Sequence, residues 1–109
     1  MGDETASLWV VAKSLLEPSV YSRLCHVQNE PDFQRVVQVA LAHHLERRLT
    51  YCERLLSTFS LSKGDTFIAE QVLRLISGKL VYLHREFNEP TFFHVLTLFR
   101  MFEKEIGHV

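Results

Sequence analysis

Glycine and proline are scarce in this chain, four and three in 109 residues. That excludes a collagen-like or linker-rich chain and leaves long stretches with no helix breaker. Cysteine is scarcer still. Cys25 and Cys52 have no ligand-like spacing, which excludes a disulfide scaffold, and both are expected as thiols in a cytoplasmic or nuclear setting. Charge of one sign is missing too. Twelve Lys and Arg stand against thirteen Asp and Glu, so no net field would gather a polyanion, and nucleic acid is not the expected partner. No apolar run approaches the roughly 20 residues of a membrane span, and the first segment lacks the basic start of a signal peptide. The Met1-Gly2 start resembles a myristoylation signal, but Ala6 stands where Ser or Thr is needed and Asp3 and Glu4 intrude, so no lipid anchor is expected.

What is present is apolar and helical in its spacing. Hydrophobic residues make up 47% of the chain and charged residues 23%, a globular balance that permits one core without metal or disulfide. Leu8, Val11, Ala12 and Leu15, with Trp9 beside them, predict a first helix over about Glu4–Leu16, ended by Glu17-Pro18. Val20, Leu24 and Val27 predict a short second helix over Ser19–Gln28. From Phe33 to Phe59 neither Gly nor Pro occurs, and a broad apolar face predicts a long third helix. Ser60 to Asp65 is turn-like, with Asp65 placed to cap a fourth helix over about Thr66–Phe87. That helix is expected to bury Ile68, Val72, Leu75, Ile76, Leu80, Leu83 and Phe87, and Gly78 within it to mark a close helix crossing. A fifth begins at Asn88-Glu89-Pro90 and closes near Glu105–Gly107.

The expected fold is all-α: a single compact bundle of about five helices, residues 1–109 in one domain, with 1–4 and 107–109 frayed. The third and fourth helices would form a long central antiparallel pair, with the fifth packed across them. One internal regularity supports the helix starts. Asn29-Glu30-Pro31-Asp32-Phe33 and Asn88-Glu89-Pro90-Thr91-Phe92 share their pattern at an offset of 59 residues. Convergent turn chemistry explains this more simply than a duplicated helix-corner-helix unit, because Asn, Glu and Pro are common at helix starts, and one pair is too few for a solenoid.

Chemical motifs are missing. The six histidines, His26, His43, His44, His84, His94 and His108, have no i, i+4 pairing that would aim two imidazoles at one ion, so no metal and no cofactor is expected. His43 and Glu46 at i, i+3 read as a contact on a helix surface. Cys52 sits at an apolar mid-helix position, where a thiol acts as a small hydrophobe. No nucleophile motif, phosphate loop or carboxylate cluster occurs, and no enzyme is expected. Arg47, Arg48 and Arg54 are interleaved with Glu46 and Glu53, as on an ordinary solvated helix face.

His44 and Arg48 fall inside the apolar arc of the third helix, and Lys79 and Glu86 inside that of the fourth. Pairing between helices would make all four structural; otherwise His44 and Arg48 line the mouth of a groove that reads a partner. The fifth helix carries more apolar surface than one face needs. Phe92, Val95, Leu96, Phe99, Phe102 and Ile106 share a face, while Phe93 and Met101 fall opposite and Leu98 sits on the border. Val39, Phe67 and Val81 also fall outside their helices' core arcs.

Surplus apolar surface points to a non-enzymatic protein-protein interaction module, an adaptor or scaffold domain. Its expected partner-binding residues are Phe93, Leu98, Met101, His44 and Arg48. The expected partner is an amphipathic helix or a second copy, giving a homodimer. The alternative is a structural or regulatory helical segment of a larger viral or cytoskeletal protein, docked on neighbouring domains.

Overall fold

The computed structural model describes the backbone of residues 2–107 and the side chains of residues 8–107. The fold is all-α, with five helices in the order α1 (Gly2–Leu15), α2 (Pro18–His26), α3 (Phe33–Thr58), α4 (Lys63–Arg85) and α5 (Glu89–Gly107), and no strand among the described residues. Most bounds lie within two residues of those expected. Helices α1 and α5 run out to Gly2 and Gly107; Met1, His108 and Val109 lie outside the described residues. Among the described residues no helix is long and apolar enough to cross a membrane.

The chain divides into two compact units, Met1–His44 and Leu45–Val109, with the boundary inside α3. In the first unit, Pro18 takes the first position of α2, where its missing N–H costs nothing, and Glu17 before it is extended. The Trp9 ring stacks on Tyr21 at 4.5 Å and meets the edge of Phe33 at 5.1 Å, tying α1, α2 and the start of α3 together. Leu8, Ala12, Leu16, Leu24, Phe33, Val37 and Leu41 are buried along these three segments.

In the second unit α4 and α5 make the closest helix approach. They are joined through only residues 86–88 and so run antiparallel. The α3 segment from Leu45 onward runs antiparallel to α4. Glu46 reaches His84 near the end of α4 at 3.0 Å, while Glu53 and Leu56 lie beside Glu70, Leu73, Arg74 and Ser77 further back along it. The core is built on Phe92, Val95, Phe99 and Phe102 of α5, all 0% exposed. Leu45, Leu49 and Cys52 of α3 and Ala69, Val72, Ile76, Leu80 and Leu83 of α4 are buried with them. Each such large side chain contributes about 1.5–3 kcal/mol.

The capping of α4 differs from the expectation. Ser62 is the N-cap, its Oγ accepting from the Asp65 backbone N–H at 3.1 Å, so the helix starts three residues early and Asp65 becomes a first-turn acid beside the positive helix end. The repeated Asn-Glu-Pro corner also works in two ways. Asn88 Oδ1 accepts from both the backbone N–H and the hydroxyl of Thr91, each at 2.9 Å, and α5 starts at once. In the earlier copy Asp32 stands in place of Thr91 and offers no hydroxyl donor. The chain makes further turns there, and α3 starts only at Phe33.

Candidate protein-interaction surface

The residues singled out from sequence meet different fates. Leu98 is 4% exposed and belongs to the core, so it cannot reach a partner. Buried side chains at 92, 95, 96, 98, 99 and 102 occupy nearly half of the α5 wheel, wider than the one-face reading allowed. Phe93 is half-buried, its ring edge-on to Phe92 at 5.3 Å. Met101 is exposed.

Arg48 is already engaged. Its Nη2 donates to Glu103 Oε1 at 3.0 Å, and its guanidinium carbon lies 4.7 Å from the centre of the Phe99 ring. The expected partners Lys79 and Glu86 are replaced by a carboxylate and an aromatic face on α5, and Arg48 clips α3 to α5. That is a structural task within the second unit. His44 is half-buried at the end of the first unit.

Chemistry at the thiols follows from burial. Cys52 is 3% exposed, and burial pushes its pKa up to about 11, Arg48 opposing the rise and Glu103 and Glu53 adding to it. It is protonated at neutral pH and therefore a poor nucleophile. Among the described residues no group of three or more His, Cys, Asp and Glu is placed to hold a metal ion. The depression between α3 and α4, about 280 Å³ and open to solvent, is lined by Glu53, Leu56, Glu70, Leu73, Arg74 and Ser77. It is shallow and charged rather than a closed apolar pocket of the kind that buries a small molecule.

Helix α4 carries the largest share of the exposed apolar surface. Of the ten large hydrophobic residues exposed among the described residues, five belong to α4: Phe67, Ile68, Leu75, Val81 and Tyr82. Helix α5, where the surplus was expected, contributes only Met101. Phe67 and Val81 were expected off the core arc. Ile68 and Leu75, expected inside, are 45% and 54% exposed.

Ile68, Leu75 and Tyr82 follow a seven-residue spacing, and Phe67 and Val81 lie fourteen apart with Arg74 midway. Phe67, Arg74 and Val81 form one column and Ile68, Leu75 and Tyr82 another, with Gln71, Gly78 and Arg85 between them. The stripe from 67 to 82 spans about 22 Å of helix axis. Gly78 lies in its C-terminal half, exposed, flanked one turn either way by Arg74, Leu75, Val81 and Tyr82. A Cβ built there meets nothing within 4 Å. The close crossing expected at Gly78 is therefore not made among the described residues, and the glycine leaves a notch in an apolar stripe. The readable signal for this surface was the apolar pairs Phe67-Ile68 and Val81-Tyr82, fourteen residues apart with Leu75 midway.

No protein-family model, curated protein or solved structure matches this chain.

Proposed function

We propose that this chain is a non-enzymatic protein-interaction module, an adaptor or scaffold element, and that the outward face of α4 is its binding surface. The observation that carries the reading is the stripe of Phe67, Ile68, Leu75, Val81 and Tyr82, exposed on one helix, with Gly78 between Leu75 and Val81. Aromatic and aliphatic anchors around a notch are the usual centre of a protein interface. An ordered apolar stripe costs solubility, which a fold has no reason to bear on a helix whose other face already supplies the core. Met101 and Phe93 on α5 play at most a supporting part, and Leu98 none. The setting proposed is the cytoplasm or nucleus, where Cys25 and Cys52 stay reduced.

The test pairs binding with stability. Affinity capture is run with the wild-type chain and with Leu75→Ser/Val81→Ser, and each captured protein is purified and titrated against both. A partner that binds the wild type and loses at least tenfold in affinity with the variant, at an unchanged melting temperature, supports the reading. Equal binding by both, or a variant destabilised by the several kcal/mol typical of core truncation, refutes it.

A further inference from the structure

We draw no further inference here: the strongest candidate, the exposed apolar face of α4 around Gly78, belongs to the binding surface already proposed, and nothing in the structure shows what covers it.

Discussion

Gly78→Ala should make the protein more stable. Glycine within a helix is less favourable than alanine by about 0.5–1 kcal/mol, because the unfolded chain has more backbone freedom to lose. A native glycine normally offsets this with a positive φ or a close neighbour. Gly78 has neither: no glycine described has positive φ, and a Cβ at this position meets nothing within 4 Å. The whole gain should therefore appear, as a rise in melting temperature of about 2–6 °C for a chain of this size. Thermal unfolding followed by circular dichroism reads it, with a urea titration to check that the slope is unchanged and the shift is one of stability. A fall in melting temperature would refute the reasoning. It would mean that the glycine serves a contact inside the fold, and the notch would lose its meaning as a place for a foreign side chain.

Other outcomes follow from the same geometry. Leu98→Ala should cost about 2–5 kcal/mol in urea unfolding, whereas Met101→Ala should stay within about 0.5 kcal/mol; the reverse order would return the interface to α5. Arg48→Ala should destabilise by about 1 kcal/mol through loss of the Glu103 pair and the Phe99 ring contact, and Glu103→Gln by less, since Glu103 is 56% exposed. Ser62→Ala should remove about 1 kcal/mol by leaving the Asp65 N–H without its cap, visible as a lower urea midpoint. In the folded chain a thiol reagent at neutral pH should modify exposed Cys25 and spare Cys52, with the second thiol appearing only on unfolding. Because the folded Cys52 pKa is raised from 9.0 to about 11, its contribution to stability is complete below pH 9 and lost as pH climbs towards 11. Unfolding midpoints measured across that interval for wild type and Cys52→Ala check the sign, since the alanine variant should lack that loss.

Periodicity carried the helices well because it records what a helix buries. It carried the edges of each buried arc poorly, because an arc's width depends on how many neighbours pack around the helix. Leu98 shows one side of this: the buried arc of α5 is broad enough to take in a border position. Ile68 and Leu75 show the other, since α4 has an apolar arc wider than its packing covers, and the excess reads in sequence as core. Arg48 is a third case. A cation inside an apolar arc signals a partner, but Glu103, which supplies it, lies 55 residues further along the chain. Gly78 was legible as an oddity, and its surroundings show that no neighbour among the described residues requires a glycine there. Capping was half legible: Ser62 and Asp65 both invited a helix start, and the hydrogen bond to Ser62 Oγ decides between them.

The central claim is that α4 presents a binding face that the fold itself does not use. The most direct test is a nitrogen-15 correlation spectrum of the chain titrated with the partner isolated by affinity capture. Saturable shifts should gather on Phe67, Ile68, Gln71, Leu75, Gly78, Val81 and Tyr82, with Gly78 among the largest and Phe93 and Met101 little changed. Saturable shifts centred on Phe93 and Met101, with Gly78 unmoved, would contradict the account and move the interface to α5.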